Sequence, residues 1–560
     1  MQGVWSPYDD GIEIECVDAK NASLLVTGNN HGVLKLFRYP CVSKLSRSQT
    51  YQSHSGRVGK VRWIQKGPQG YLISVGSDDN SIMVWQLLQR ESVLQNYSMC
   101  KEVDKTTQIS SSHCRKIKKF VPPSTLIIEE KGMSRPWLAS VVAPSDSRLY
   151  KEDNVKEADF VLSSVFGFES EYATNNVLYN YHGDVIFPAG STVITFDRSN
   201  FSQRIYAKHN DIISAIAING RFVASGSTTI PGDRPRINIW DSQTCVHITK
   251  LKDFHRKGIE SLDFSKDGKK LVSLGFEREH WVCIWVSNSG EWFDYSLDQK
   301  IECGLESVMF VRVLNTIQHR DDYRVHHFVT GGIDHLKFWK NKTPTNVYLG
   351  EIEGKGKNIC GEELADSKFI TGTSTGYVHV WIKCMLTISI KAHQKGVNCF
   401  HVFENGFISG GLDGCIMLWS NEVEIMTKFD LVEASIQSLY TPLERLDCNF
   451  CPSKILFGTN KSQIFELSVK TRDVLLLSEF HYKGCTQGLA VHPTKKEIFA
   501  TCGDDGQLCL WDTHSIRTIR KIHVDHCLTV LAFSNSGDEI LVGCGNNKVQ
   551  GNSLDGLVSS

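Results

Sequence analysis

The chain has 560 residues, 41% of them hydrophobic and 10% aromatic, a composition that can bury cores and excludes a disordered tail. Its length exceeds what one compact core needs, so more than one domain is expected. With 61 basic and 62 acidic side chains the net charge is −1; no global field draws the chain to nucleic acid or to an anionic membrane, neither is expected as a partner, and electrostatic recognition has to be local.

The chain opens on Met1-Gln-Gly-Val-Trp-Ser-Pro-Tyr-Asp-Asp10, without the basic start or the apolar stretch of a signal peptide. No apolar run approaches the roughly 20 residues that span a bilayer. The 18 cysteines are scattered and many, such as Cys283, Cys415 and Cys509, sit inside strand patterns. They read as reduced, buried small hydrophobes of a cytoplasmic protein. The close pair Cys448-Asn-Phe-Cys451 has zinc-knuckle spacing but no second ligand pair, so no metal site and no cofactor is expected.

Two strand-rich units come first, near 10–40 (Leu24 to Phe37) and 50–88, the second ending in Gly76-Ser-Asp-Asp-Asn-Ser-Ile-Met-Val-Trp85. That sentence is a tight Asp turn followed by an alternating strand closed by Trp. It returns as Gly411-Leu-Asp-Gly-Cys-Ile-Met-Leu-Trp419 and Gly503-Asp-Asp-Gly-Gln-Leu-Cys-Leu-Trp511. From 89 to 158 the pattern lapses into polar sequence with the basic run Arg115-Lys-Ile-Lys-Lys119 and Pro122-Pro123, which reads as a linker. An irregular segment begins at 159, and units follow near 205–245, 250–290, 300–342, 345–385, 388–422, 430–470 and 478–515. Closing tryptophans at 240, 285, 339, 381 and 419 recur at roughly 40 to 55 residues, the signature of a WD-repeat β-propeller. The gap from Trp419 to Trp511 is about twice as long, and a degenerate copy, Lys454 to Leu467, fills it with Leu in place of Trp.

The expected class is all-β, with WD-repeat β-propellers in tandem. Residues 1–88 are expected to be two blades ending a preceding propeller, 89–158 a linker, 159–470 a complete propeller of about seven blades, and 471–560 the start of a second. The last unit shows inner strands in Leu528 to Ser534 and Glu539 to Gly545 but no closing strand after Lys548. Both ends thus read as pieces of neighbouring propellers in a longer tandem-propeller protein.

Three units carry a His, Ser or Thr, Asp and Trp at matching places: His54, Ser74, Asp79 and Trp85; His393, Ser409, Asp413 and Trp419; His481, Thr501, Asp505 and Trp511. A hydrolase triad uses the same residue types. An active site is made once, whereas this set recurs, so a structural relay from Trp through Ser or Thr and His to the turn Asp is the better reading. No catalytic residue is assigned, and no nucleophile elbow or phosphate-binding Gly-rich loop is present. Two units depart from the pattern: Gly376 replaces the turn Asp before Trp381, and Glu277-Arg-Glu-His280 surrounds the turn before Trp285.

The irregular segment Val165 to Phe196 is the most distinctive. It contains Phe166-Gly167-Phe168, Asn176-Val-Leu-Tyr179, Gly183-Asp-Val185, Phe187 and the apolar Thr192-Val-Ile194. It resembles the hydrophobic (HELP) motif of the echinoderm microtubule-associated protein-like family, with Ser170-Glu-Tyr-Ala-Thr174 where the family commonly has Arg and Cys. Pro136-Trp137, Leu36 to Cys41 and Leu72 to Gly76 are similar to other family stretches. The resemblance implies that the motif, centred on Phe166, Gly167, Phe168, Asn176, Tyr179, Gly183 and Phe187, opens one propeller and forms its seam with another. It also implies a non-enzymatic scaffold of the cytoplasmic microtubule cytoskeleton that binds tubulin or microtubules, and other proteins, through propeller faces. The alternative is a generic WD adaptor without microtubule affinity. Arg115, Lys116, Lys118 and Lys119 read first as a solvated linker, with contact to acidic tubulin tails as their functional alternative.

Overall fold

The computed structural model describes residues 12–20, 23–41, 46–65, 70–89, 158–170, 176–229, 234–251, 254–314, 328–340, 343–346, 356–364, 368–382, 384–431, 436–440, 453–546 and 548–553. Every regular element among them is a β-strand. The strands form ten four-stranded sheets and one three-stranded sheet, all antiparallel meanders. Numbered as blades in chain order, they span 14–52, 58–89 with 158–166, 178–206, 213–250, 259–302, 308–346, 358–391, 397–430, 436–479, 486–523 and 528–553.

Blade 8 shows how the repeated sentence folds. Its second strand, Gly406–Gly411, is buried at every position, and its third, Cys415–Ser420, at all but the last. Both faces of these strands pack on neighbouring blades, which is why the sequence there runs apolar rather than alternating. The turn between them closes with Gly414 N donating to Gly411 O at 3.2 Å. The outer strand, Ile425–Asp430, is mostly exposed. Phe407 pairs with Trp419 across the ladder, and their rings stack at 5.4 Å. In every blade except blade 3 the first strand carries a register shift near its start, as between Val397 and Cys399. Such a bulge twists the strand where it enters the hub.

First strands pack successively from blade 4 to blade 9, and the first strand of blade 9 meets Leu178–Tyr179, the first strand of blade 3. Blade 3 in turn packs on blade 4 through Ile186, Val193, Tyr206, Val223 and Trp240. Blades 3 to 9 therefore close a seven-membered ring.

The remaining four blades make a second body with a different chain order. Blade 1 packs on blade 2, blade 2 on blade 10 and blade 10 on blade 11. Thr486 Oγ1 donates to Asn80 Oδ1 at 2.9 Å across the junction of blades 2 and 10. The first two units thus share a body with residues beyond 486 and do not end a separate, preceding propeller. The segment 89–158 is also not a linker between propellers: Ile82–Gln89 pairs along its length with Ala158–Phe166, from Ile82 opposite Phe166 to Gln89 opposite Ala158. It is an insertion between the third and fourth strands of blade 2. The expected boundary at 159 failed because a strand whose partner lies beyond a long insertion has no local period to reveal it. The last blade does have a third strand, Val549–Ser553, paired with Glu539–Cys544 through Gly543 and Val549. Its sequence, Val-Gln-Gly-Asn-Ser, has Val549 as its one apolar, β-branched residue, too little for a strand to be read.

Candidate functional site

The His, Ser or Thr, Asp and Trp sets each come together inside one blade. In blade 8, Trp419 Nε1 donates to Ser409 Oγ at 2.9 Å, Ser409 Oγ lies 2.9 Å from His393 Nε2, and His393 Nδ1 lies 3.0 Å from Asp413 Oδ1. Asp413 also accepts from the backbone N–H groups of Gln394 and Cys415. One proton arrangement satisfies the chain throughout: Ser409 donates to Nε2, and Nδ1–H donates to the carboxylate. Blade 2 repeats this with Trp85, Ser74, His54 and Asp79 at 2.9, 2.9 and 3.3 Å. Blade 10 does so with Trp511, Thr501, His481 and Asp505 at 2.7, 2.8 and 3.0 Å. Ser74, Thr501 and Ser409 are fully buried, so no substrate reaches their oxygens in the folded blade. Burial pushes the Asp79 carboxyl up, but His54 and the backbone N–H groups of Ser55 and Ser81 outweigh it and hold its pKa at about 2.

Three further blades hold relays that the sequence pattern did not expose. In blade 5, Glu277 takes the place of Asp: His255 lies 3.3 Å from Glu277 Oε2 and 2.9 Å from Ser273, which accepts from Trp285. In blade 4, Trp240 donates to Ser225, which lies 2.7 Å from His209. In blade 6, His335 enters from the third strand, 2.8 Å from Thr330 and 2.9 Å from Glu306, while Trp339 donates to Thr330. In blade 4 the longer turn puts Ser225 fifteen positions before Trp240 instead of ten or eleven, which hides the match. In blade 7, Trp381 donates to Thr371, and Gly376 occupies the turn with φ of +89°.

The irregular segment joins the two bodies. Phe166, at the end of the outer strand of blade 2, packs edge-on against Phe499 and Trp511 of blade 10, with centroids at 5.7 and 5.2 Å. Two residues later Phe168 turns into the seven-bladed ring, 6.1 Å from Phe187, and Phe187 reaches Phe480 at 6.4 Å. Gly167 between them passes so close to Ser81 and Ala189 that a Cβ would lie 3.3–3.4 Å from both. Gln203 clamps Val165 with two hydrogen bonds of 2.9 Å, and Ser191 Oγ donates to Ser53 O at 3.0 Å. Gly190 has φ of +55° and faces Asp79, whose Oδ2 would stand 2.7 Å from an added Cβ. At the rim, Arg517 lies over the Phe201 ring at 3.8 Å, and Thr518 donates to Glu479 O.

Residues 202–467 match the family model described as the echinoderm microtubule-associated protein first beta-propeller. Residues 45–86 and 478–512 match the WD domain, G-beta repeat. The chain is 25% identical over 422 residues to echinoderm microtubule-associated protein-like 4 of Mus musculus, covering 68% of this chain and 40% of that one. It is 25% identical to echinoderm microtubule-associated protein-like 1 of Rattus norvegicus, covering 68% and 47%. It is 27% identical to cilia- and flagella-associated protein 52 of Chlamydomonas reinhardtii, covering 70% and 62%. By this propeller match and these relatives, the chain is similar to the echinoderm microtubule-associated protein-like family of WD-repeat proteins. It spans about half the length of the curated relatives it matches. Among solved structures, the WD40 beta propeller domain of Doa1 is 17% identical with a TM-score of 0.30, covering 53% of this chain and 93% of that one.

The family match ends at Leu467, one residue beyond the side chain that clasps the seven-bladed ring. Glu466 of blade 9 accepts from Tyr179 Oη of blade 3, and it is paired with Arg198 and, at 3.1 Å, with Lys454. Burial raises the Glu466 carboxyl, but Tyr179, Lys454 and Arg198 outweigh it and hold its pKa below the ordinary value. Asn176 is buried and donates through Nδ2 to Glu169 O, and Gly183 lies in the turn from Asn180 to Asp184. Arg115, Lys116, Lys118, Lys119 and the pair Cys448 and Cys451 lie outside the described residues. Among the described residues no group of His, Cys, Asp and Glu has the arrangement of a metal site, and no helix is long and apolar enough to cross a membrane.

Proposed function

We propose that this chain is a non-enzymatic cytoskeletal scaffold that binds tubulin or microtubules, and through them works in the cytoplasm on microtubule organisation. The observation that carries the reading is the crossing at Phe166-Gly167-Phe168, which packs one aromatic into each body and holds two propeller surfaces at a set angle. A partner too large for one propeller face can bridge such a pair without an ordering cost at the joint. The names of the relatives point the same way, two of them microtubule-associated and one cilia- and flagella-associated. The recurring His, Ser or Thr, Asp and Trp sets serve the blades in this reading, since each polar member is satisfied by another and shut off from solvent.

The test is co-sedimentation with stabilised microtubules together with pull-down of soluble tubulin, using the full chain and a Phe166→Ala variant. Binding in either assay, weakened in the variant, is expected. No binding of the folded chain in both assays would leave the generic WD adaptor as the better account.

A further inference from the structure

Four loops at one end of blades 4 and 5 form a continuous surface. Arg236 Nη1 donates to Lys208 O at 3.4 Å, and Thr228 N donates to Ile212 O at 2.9 Å. Thr228 bridges to Gly258, and Phe276 N donates to Gly258 O at 3.1 Å. Arg256 N donates to Glu277. On this surface Lys208, Arg234, Arg256, Lys257 and Arg278 are exposed. Among the described residues, no carboxylate pairs with the side chains of Lys208, Arg256, Lys257 or Arg278. Of the acidic groups on these loops, Glu277 is buried and bound to His255 and to Arg256 N, while Asp211 and Glu279 are half-buried. Asp233 and Asp253 lie outside the described residues.

An aromatic sits among the cations. Phe276 is 36% exposed and lies against Gly258, where a Cβ would fall 2.6 Å from its Cδ2. The bare glycine leaves room for the ring against the loop that carries Arg256 and Lys257. Beneath the patch His209 is held neutral, its pKa pushed down to about 3 by burial and by the positive charge of Arg236, His247 and Lys250.

We propose that this surface of blades 4 and 5 is a docking site for an acidic peptide segment. The exposed cations Lys208, Arg256, Lys257 and Arg278 attract carboxylates and release the cost of their mutual repulsion on binding. The ring gives an aromatic or apolar residue of the peptide a place to land. The patch is too small for nucleic acid, which needs a longer cationic track to meet successive phosphates. On the next blade Glu306 is already engaged by Lys337 and His335. The inference does not depend on tubulin being the partner.

The experiment is fluorescence anisotropy of a labelled oligoglutamate peptide, with and without one tyrosine, titrated with the full chain at low and moderate salt. Arg256→Glu, Lys257→Glu and Arg278→Glu combined should weaken binding about tenfold or more, since three exposed interactions are each reversed in sign. Reversal of Lys470, Lys496 and Arg520, exposed on other blades, should change it less than about twofold. Phe276→Ala should remove the advantage of the tyrosine peptide and leave the salt dependence alone. Circular dichroism establishes that each variant is folded. Equal loss in the two triple variants, absence of binding by the wild-type chain, or tighter binding of a single-stranded oligonucleotide or phosphatidylserine vesicles through the same three residues would each overturn the proposal.

Discussion

Ser409 has one hydroxyl and two obligations. It accepts from the Trp419 indole and donates to His393, so a single oxygen ties the third strand of blade 8 to the loop entering it. Ser409→Ala strands a buried N–H and a buried ring nitrogen together and should cost about 1–3 kcal/mol, measured by urea denaturation. Ser420→Ala, at the half-buried end of the third strand where the hydroxyl accepts from the Glu424 N–H, is the control expected to cost less. Asp79 supplies a pH dependence with a definite sign. Its pKa is about 2 in the fold against an ordinary 3.8, so its contribution is present above the unfolded value and is lost as the pH falls from there toward about 2. The stability gap between wild type and Asp79→Asn should therefore be of order 2 kcal/mol near neutral pH and shrink below about pH 4. A gap that stays constant down to about pH 2 would contradict the assignment. These residues were legible because their spacing repeats; Ser225 and His335 were not, because a long turn and an exchanged position broke the spacing while the geometry survived.

At the scale of elements, the strand Ala158–Phe166 does two things that its own sequence does not announce. It completes blade 2, and its last residue packs edge-on against both Phe499 and Trp511. Phe166→Ala removes a fully buried ring and should cost about 3 kcal/mol or more at the seam. Hydrogen exchange should report this as lost protection in 158–168 with 406–420 unchanged; equal loss in both segments would mean that the ring does not act as a local fastener. Gly190→Val should act on the same seam, since φ of +55° is costly for a β-branched residue and its Cβ would press on Asp79. The motif was recognisable as irregular from its composition. Its partners were not, because aromatic side chains carry no mark of which apolar cleft they enter.

The molecule as a whole is organised by a chain order that interrupts one body with another. Residues 178–479 close a ring of seven blades, and the blades on either side of that ring in sequence meet in space. Asn80 and Thr486, in hydrogen-bond contact, are separated by 406 positions. A buried charge placed by Val58→Asp, in the first strand of blade 2, should raise hydrogen exchange in 486–491 and leave 406–411 untouched. An effect confined to 58–89 would show that blades 2 and 10 are not one cooperative unit.

Local sequence alone determined that the chain is all-β, that its units are four-stranded blades with Asp and Gly turns, and that the segment from Val165 onward departs from the repeat. Those features are set by side-chain periodicity and turn chemistry within a few tens of residues. Only the tertiary structure decided that Ala158–Phe166 belongs to the blade begun at Val58, that blade 2 stands beside blade 10, and that Glu466 closes the ring on Tyr179. The physical reason is that blade faces are apolar in much the same way throughout. Which face meets which is settled by shape and by a few polar contacts between residues hundreds of positions apart, and the repeat writes none of these into its own pattern.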